Sequence, residues 1–409
     1  MVFGVGRVAP LRSRFRKIQL QIREWIEMKL IVRTLKLLLL TAGFLSSTSR
    51  AQAVTEIGGQ KIVTLTRTPV SATKPEFTSI TLAPGRGMEI LQITANFPGK
   101  GKVDVLDPIT LDAAKKMLDV DDDANGDTGY RLGSVFLAPY PNRIRGKLSA
   151  DGKTLTTEWQ GHAITLPANN IGGKPGAERH AMHGLILKSK TDSVDVDKVP
   201  GGEEVSGVIH PGDFGGHWLS KTQIVVTIRL TAEAVDAIVE ARNVGTEPEP
   251  MAIAWHPYFN LPSGDRAQAR LRVPASAVAE VDNYDNVFPT GKIVKVEGTR
   301  FDLRGAGGVP LGKEFFDDNW SRLEWANKAA TVQVIDPAAR YGVGIEGLSP
   351  EIKAIQVYAP PSKQFVAVEH QYNFGDPFGK EWGETDTGMV TLKPGQATKW
   401  HVRLHVFVP

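Results

Sequence analysis

The sequence predicts an all-β protein built as a large antiparallel β-sandwich, and three observations support this fold class. Short runs rich in β-branched residues, bounded by Gly, Pro, Asn or Asp, recur from Val54 to the end of the chain. Helical patterns are few, and no strand–helix–strand alternation of the kind that builds parallel sheets is visible. The closing stretch alternates strictly between apolar and polar residues, which is typical of a strand with one buried face.

The predicted strands follow one another with turn residues between them. In chain order they are QKIVTLTR, FTSITLAPG, GMEILQITANFPG, TLTTEWQG, TQIVVTIRL, AVDAIVEARNVG, TVQVID and AIQVYAP. The closing stretch, ATKWHVRLHVFVP, places Trp400, Val402, Leu404 and Val406 on one face and His401, Arg403 and His405 on the other. The best helix candidate is TLDAAKKMLDV, from Thr110 to Val120. Residues 54–409 contain no internal repeat or linker, so a single domain is predicted there.

Composition excludes several classes of site. The chain has 409 residues, of which 41% are hydrophobic and 23% charged, the balance of a globular protein. It contains no cysteine, which excludes disulfides, thiolate metal sites, cysteine nucleophiles and iron–sulfur clusters. Residues 54–409 hold 38 Lys and Arg against 43 Asp and Glu, a formal charge of −5. This mildly acidic body gives no electrostatic reason to expect nucleic-acid binding.

The N-terminus has the pattern of a targeting segment. Three basic residues follow Met28, an apolar core runs from Leu37 to Leu45, and a small-x-small cleavage pattern ends at Ala53. Residues 28–53 are therefore predicted to be a secretory signal, and residues 1–27 an upstream extension from an over-long start. The alternative for this basic region is an amphipathic arm on a membrane surface. Export to a periplasm or the medium is expected, with no stable membrane association after cleavage.

Four stretches place polar residues where predicted strands begin or end. LAPYPNRIRGKL puts Asn142 and Arg143 after a turn, and the planar donors of arginine suit a polyhydroxylated ligand. ERHAMHGLIL sets His183 beside Gly184, where the glycine would let a ligand approach the backbone.

The other two stretches end apolar runs on titratable side chains. AIAWHPYFNLPSG reaches His256, which we expect its neighbours Trp255 and Pro257 to hold in place. QFVAVEHQYNFGDPFG reaches Glu369, and a buried glutamate there costs free energy unless it is paired or functional. Taken singly, each candidate could instead be structural: a core histidine, a surface arginine or an edge glutamate.

Taken together and in this order, the motifs resemble the aldose 1-epimerase (galactose mutarotase) family. A PTGKI…FDLR segment and an aspartate in FFDDNW extend the resemblance, which covers the chain from about Ile80 to the closing strand. HPYFNLP and FPTGKI are its most specific parts. The resemblance implies a galactose mutarotase-like supersandwich that binds sugar in an open cleft, with no metal and no cofactor.

The resemblance also implies roles for individual residues. Glu369 matches the catalytic base and His256 the general acid, while the residues expected to bind the sugar are Asn142, Arg143, His183 and Asp317. Asp318 adjoins Asp317, so the aspartate assignment could shift by one. Two positions depart from the family pattern: Ala138-Pro139 stands ahead of Asn142, and His370 follows Glu369. Glu369 is expected to be ionised at rest, with neighbouring donors offsetting its loss of hydration.

The function implied is the interconversion of the α and β anomers of a free aldohexose by acid/base ring opening and closure. Two alternatives stay open at this point. One is a non-catalytic carbohydrate-binding sandwich, and the other is an epimerase of a hexose phosphate, which predicts additional Arg or Lys in the cleft. A small-molecule sugar is the expected ligand, and the sequence makes no prediction of oligomeric state.

Overall fold

Antiparallel pairing builds every large sheet in the described part of this chain. The computed structural model describes Met1 and residues 54–120 and 122–409. The predicted signal segment and upstream extension lie outside the described residues. Val54–Pro409 forms one compact unit. No helix among the described residues has the length and apolar character needed to cross a membrane.

The strands are short and numerous, as the turn-rich sequence predicts. They are β1 (Glu56–Ile57), β2 (Gln60–Lys61), β3 (Val63–Thr66), β4 (Glu76–Ala83), β5 (Glu89–Phe97), β6 (Gly101–Asp104), β7 (Val135–Leu137), β8 (Arg143–Ile144), β9 (Lys147–Leu148), β10 (Thr154–Trp159), β11 (His162–Pro167), β12 (Asn170–Ile171), β13 (Arg179–Met182), β14 (Ser193–Val199), β15 (Gly202–Gly212), β16 (Thr222–Leu230), β17 (Val235–Asn243), β18 (Glu249–Met251), β19 (Ala254–His256), β20 (Tyr258–Asn260), β21 (Arg270–Arg272), β22 (Ala275–Val281), β23 (Pro289–Lys295), β24 (Val309–Pro310), β25 (Phe316–Leu323), β26 (Ala330–Asp336), β27 (Tyr341–Gly347), β28 (Ala354–Ala359), β29 (Phe365–Gln371), β30 (Val390–Leu392) and β31 (Ala397–Phe407).

The largest sheet has nine strands in the order β14-β15-β16-β17-β31-β27-β26-β21-β24. The pairing of β17 with β31 runs without interruption from Val235 opposite Leu404 to Arg242 opposite Ala397. The closing strand β31 also pairs with β27, so it lies in the middle of the sheet. On its predicted apolar face, Trp400, Val402 and Leu404 are buried and Val406 packs partly buried against the same core, which confirms the alternation read from the sequence.

A six-stranded sheet, in the order β20-β29-β28-β25-β22-β23, packs over the same core as the large sheet. Its apolar side chains, among them Val278, Trp320, Ile355, Val357, Val366 and Val368, join those of the nine-stranded sheet in one continuous cluster. A four-stranded sheet, β3-β4-β5-β6, contributes to that cluster as well. Two sheets with their apolar faces turned toward one core form a β-sandwich, so the predicted fold class is confirmed.

Two short α-helices lie between strands in the described part of the chain. The first, α1 (Leu111–Leu118), lies within the predicted helical stretch, and the Thr110 hydroxyl caps it by accepting a hydrogen bond from the Ala113 amide. The second, α2 (Asp127–Leu132), was not predicted, because the acidic turn ahead of it resembles a solvated loop rather than a helix start.

A buried ion pair anchors the start of α2. Arg86 donates from Nη2 to Asp123 Oδ2 over 2.6 Å, and the two side chains are 1% and 3% exposed. The other oxygen of Asp123 accepts a hydrogen bond from the backbone amide of Thr128 in the first turn of α2. Glu89 is also fully buried, and its loss of hydration raises the pKa of its carboxyl group well above the ordinary value.

Candidate active site

One cavity of about 480 Å³ brings together all six residues that the sequence singled out. This volume lies in the range of small-molecule sites. Its walls hold Asn142, Arg143, His183, His256, Asp317 and Glu369, together with Asp107, Tyr130, Arg131, Leu132, Asn170, Met182, Tyr258, Gln356, Tyr358, Lys363 and Phe365. The predicted candidates come from distant parts of the chain, so the sandwich is what assembles them.

The floor of the cavity is the face of the six-stranded sheet that points away from the apolar core. Side chains alternate between the two faces of a strand. In β28, Ile355 and Val357 therefore enter the core while Gln356 and Tyr358 line the cavity. In β29, Glu369 shares the cavity face for the same reason.

Sheet register explains which polar groups meet on that face. Asn319 in β25 lies opposite Gln356 in β28, and Gln356 lies opposite Glu369 in β29. Asp317, two residues before Asn319, is on the same face and lies opposite Tyr358. Three neighbouring strands thus place a row of amides and carboxylates side by side.

Glu369 and His256 lie in contact in the cavity wall. His256 Nε2 lies 3.3 Å from Glu369 Oε1. His256 is 5% exposed and Glu369 is 1% exposed, yet both contribute to the cavity wall. The carboxylate belongs to β29 and the imidazole to the end of β19, so each is attached to a strand rather than to a loop. This geometry suits the exchange of a proton between two fixed groups.

Aromatic contacts hold the imidazole of His256. Its ring lies 4.9 Å from that of His183 at a nearly perpendicular angle, and 5.1 Å from the ring of Tyr258. Tyr258 in turn stacks on Phe365 with its ring centre 4.2 Å away. The predicted neighbour Trp255 is buried on the opposite face and donates from Nε1 to the carbonyl oxygen of Ser134. Trp255 therefore fixes the strand, while His183 and Tyr258 are the rings against His256.

Arg143 joins two of the predicted binding residues. Its guanidinium donates from Nη1 to Asn142 Oδ1 and from Nη2 to Asp317 Oδ2, each over 3.0 Å. Asn142 adopts a left-handed backbone conformation, φ 63°, which asparagine tolerates better than most residues. Its carbonyl oxygen accepts from the amide of His183, so both segments are held at one edge of the cavity.

The structure distinguishes the two adjacent aspartates. Asp317 lines the cavity, whereas Asp318 points to the other face of β25 and accepts a hydrogen bond from the Tyr284 hydroxyl over 2.6 Å. The alternation of side chains along a strand makes this separation unavoidable. Asp317 is therefore the residue placed to contact a ligand.

Burial controls the titration of the central pair. Loss of hydration raises the pKa of Glu369 to about 8, even though a hydrogen bond from Gln371 favours the ionised form. Loss of hydration also lowers the pKa of His256 to about 4 and holds the pKa of His183 well below its usual range. The expectation that Glu369 is ionised at rest is therefore not met, because its donors do not outweigh its burial. Burial therefore favours the uncharged form of both groups.

Gly184 lies outside the wall of this cavity, and a Cβ at that position would lie 2.4 Å from the carbonyl oxygen of Ala138. With φ 79°, the glycine suits a turn that passes close to another backbone segment.

Several residues of the cavity wall were not predicted from the sequence. Gln356 and Tyr358 lie in the predicted strand AIQVYAP, and a glutamine within an apolar run was a usable signal for a polar face. Tyr130 comes from the unpredicted helix α2, and its ring packs 4.9 Å from that of His183. No pattern in the sequence marked that contact.

The central trio could also hold a metal ion. One ligand atom each from His183, His256 and Glu369 lies within 4.8 Å of the other two. Two histidines and one glutamate are a donor set that zinc accepts in catalytic sites. The sequence-based expectation of a site without metal therefore stays a prediction.

The sequence of this chain is similar to those of curated galactose mutarotases. It is 29% identical over 205 residues to galactose mutarotase of Rattus norvegicus, covering 47% of this chain and 53% of that protein. It is 29% identical over 184 residues to galactose mutarotase of Homo sapiens, covering 43% and 46%. The chain thus spans about half the length of the curated relatives it matches.

Solved structures show the same fold. A galactose mutarotase-like protein from Clostridium acetobutylicum superposes with a TM-score of 0.63 at 16% identity, covering 85% of this chain and 98% of that one. The aldose epimerase homologue from C. elegans superposes with a TM-score of 0.62 at 19% identity, covering 84% and 99%. The family model for aldose 1-epimerase matches residues 112–405, which is well over half of the chain. The chain belongs to the aldose 1-epimerase family.

Proposed function

We propose that this protein is an aldose 1-epimerase that interconverts the α and β anomers of a free hexose. The observation that carries the proposal is the 3.3 Å contact between His256 Nε2 and Glu369 Oε1 in the wall of a sugar-sized cavity. A protein that only binds sugar needs no such acid/base pair. Family membership supports the proposal, and the partial overlap with the curated relatives is the reason for testing it directly.

The reaction needs one group to accept a proton and one to donate it. Transfer of the proton from Glu369 to His256 across their contact gives a carboxylate and an imidazolium. The carboxylate then takes the proton of the C1 hydroxyl while the imidazolium protonates the ring oxygen, and the bond between C1 and the ring oxygen breaks to leave the aldehyde. Rotation about C1–C2 followed by the reverse transfers closes the ring with either configuration. Both protons return to their starting groups, so no co-reactant is consumed.

Polarimetry on anomerically pure sugars tests the proposal. Acceleration of the rotation change of a free hexose supports it, and sugar binding without acceleration would instead indicate a non-catalytic binding protein. The same assay after dialysis against a chelator shows whether the His183–His256–Glu369 trio works without a metal ion. Activity that disappears and returns with added zinc would overturn the metal-free mechanism.

A hexose phosphate is the second candidate substrate, because the cavity wall includes more than one cationic residue. Arg131 and Lys363 line it in addition to Arg143. Arg143 is already paired with Asp317, so Arg131 and Lys363 are the cations placed to meet a phosphate. A sugar phosphate belongs in the polarimetric panel, and acceleration of that sugar alone would favour this candidate.

We also propose that the protein acts outside the cytoplasm. The support is the basic-apolar-small pattern from Met28 to Ala53, which is typical of a cleaved secretory signal. Amino-terminal sequencing of the protein from fractionated cells is expected to start at Val54, and an uncleaved cytoplasmic chain would contradict the proposal.

The pH dependence of activity is expected to be bell-shaped, with limbs near pH 4 and pH 8. Below about 4, where His256 also binds a proton, no group can accept the proton of the C1 hydroxyl. Above about 8 the pair loses its single proton, so nothing can protonate the ring oxygen. The two values belong to the coupled pair. Values of kcat/KM from initial rates between pH 3.5 and 9, corrected for the uncatalysed reaction, measure this dependence. A single limb near pH 6.5 would indicate an unperturbed histidine instead.

Replacing Asp317 by Asn is expected to raise KM for the sugar about 10- to 100-fold, a cost of roughly 1.4–2.8 kcal/mol. The reason is that Arg143 loses its charged partner and a ligand hydroxyl loses a strong acceptor. Asp318→Asn is the matched control, since its side chain lies on the other face of the same strand. It is expected to change stability but not KM, and an increase of KM in Asp318→Asn instead would reverse the assignment.

A further inference from the structure

The two oxygens of Glu369 have different neighbours. Gln371 lies two residues further along β29 on the same face, and its Nε2 donates to Glu369 Oε2 over 2.8 Å. The other oxygen, Oε1, is the one that lies 3.3 Å from His256 Nε2. Gln371 is fully buried and is not part of the cavity wall, so it does not touch a ligand directly.

Gln371 belongs to a network of four buried amides that reaches across the sheet. Its Oε1 accepts from Asn319 Nδ2 over 3.3 Å and, at 3.5 Å, from Asn142 Nδ2. The same two asparagines donate to Gln356 Oε1 over 3.1 Å and 3.0 Å. Gln356 Nε2 then donates to Asp317 Oδ1 over 2.7 Å, so the network ends on a second carboxylate.

The ends of the network fix the direction of its hydrogen bonds. Asp317 accepts on both oxygens, from Gln356 and from Arg143, so the amide of Gln356 must present its NH₂ group there. At the other end, Arg143 can only donate, so Asn142 must accept with Oδ1 and donate with Nδ2. Gln371 therefore receives hydrogen bonds on its oxygen and has its NH₂ group left for Glu369.

We propose that Gln371 is a positioning residue, which holds Glu369 by Oε2 so that Oε1 is the oxygen that exchanges protons with His256 and the sugar. The inference rests on the proposed function and deepens it by assigning a role to a residue behind the catalytic pair. Through Asn142, Asn319 and Gln356, the orientation of the base is tied to Asp317 and Arg143, where the sugar hydroxyls are expected to bind. A single hydrogen-bonded network therefore positions both the base, Glu369, and the hydroxyl-binding carboxylate, Asp317.

Replacing Gln371 by Met, which keeps the length of the side chain but removes its hydrogen bonds, is expected to lower kcat on the order of 10- to 100-fold. KM is expected to change less than threefold, because Gln356 and Arg143 still hold Asp317. The alkaline limb of the pH profile should move up by about one unit, since the ionised carboxylate loses a donor. The charged and titratable groups that otherwise face Glu369 are His256, His183, Asp317, Arg143 and Tyr258, and this variant leaves all of them in place.

Gln92→Met is the matched control: Gln92 is half-buried in β5 and donates to the backbone oxygen of Ile109, remote from the cavity wall. Its kcat and pH profile are expected to equal those of the wild type. If Gln371→Met does not fold, Gln371→Glu keeps the size and places a second carboxyl beside Glu369, which should move the alkaline limb upward as well.

A readout that needs no turnover separates this inference from the proposed function. Infrared titration of protein labelled with carbon-13 at the glutamate carboxyl, with Glu369→Gln subtracted, measures the pKa of Glu369 directly. An upward shift in Gln371→Met supports the positioning role even if the wild type proves inactive on every sugar. An unchanged titration and unchanged kcat, with only a lower melting temperature, would show that Gln371 merely packs and would overturn the inference.

Discussion

Replacing Glu369 by Gln is expected to lower the rate of anomer interconversion by about 10²- to 10⁴-fold, the usual contribution of one positioned acid or base. The amide keeps the shape of the side chain and its place in β29 but cannot carry the proton of the C1 hydroxyl. It also leaves His256 without a partner that can return a proton across their 3.3 Å contact. KM is expected to change little, because the sugar-binding groups are other residues.

The measurement is polarimetry of an anomerically pure hexose with the uncatalysed rate subtracted. His256→Asn is expected to show a similar loss, and the double variant should lose little more, because groups that act as a unit are not additive. Glu249→Gln is the control, since this buried glutamate accepts a hydrogen bond from the Thr222 hydroxyl and lies outside the cavity wall. Turnover of Glu369→Gln within a few-fold of the wild type would refute the proposed mechanism.

Replacing Arg86 by Met is expected to lower the free energy of unfolding by about 3–5 kcal/mol, the cost of leaving one member of a buried ion pair without its partner. Arg86 donates to Asp123 over 2.6 Å, and both side chains are almost entirely buried. Glu89 nearby is also buried, and loss of hydration raises its pKa well above the ordinary value, which favours its neutral form. The unpaired charge after the substitution is that of Asp123.

Urea denaturation followed by tryptophan fluorescence measures this effect. Arg229→Met is the matched control, because Arg229 pairs with Glu204 on an exposed strand surface and is expected to be worth no more than about 1 kcal/mol. Since Asp123 also binds the amide of Thr128 at the start of α2, the Arg86 variant should lose activity at temperatures below its melting midpoint. Equal losses of stability in the two arginine variants would contradict this reading of the buried pair.

Period-two patterns in the sequence predicted the fold because the side chains of a strand alternate between its faces. The closing strand shows this best, since Trp400, Val402 and Leu404 are all buried. The same alternation in AIQVYAP carried information that was not used: Ile355 and Val357 enter the core, so Gln356 and Tyr358 had to face elsewhere. What the pattern does not carry is which strands lie side by side, and the row Asn319–Gln356–Glu369 follows from that register alone.

The site was predicted from motifs, and the parts that motifs omit were missed. His256 and Glu369 belong to distinctive stretches, whereas Tyr130 reaches the cavity on a helix that its own sequence does not announce. The expectation that Glu369 is ionised at rest was not met for a similar reason. Burial depends on every segment that covers a side chain, and in this cavity loss of hydration outweighs the single donor that Gln371 supplies.

The position of β31 has a consequence for how the protein is made. The strand completes the middle of the nine-stranded sheet, between β17 and β27, yet it follows both of them in the sequence. While a ribosome is still synthesising the chain, β17 and β27 each present an unpaired edge, and such edges invite pairing with other chains. Contacts as distant in sequence as Val235 with Leu404 also slow folding. Holding chaperones should therefore bind the nascent chain until β31 emerges.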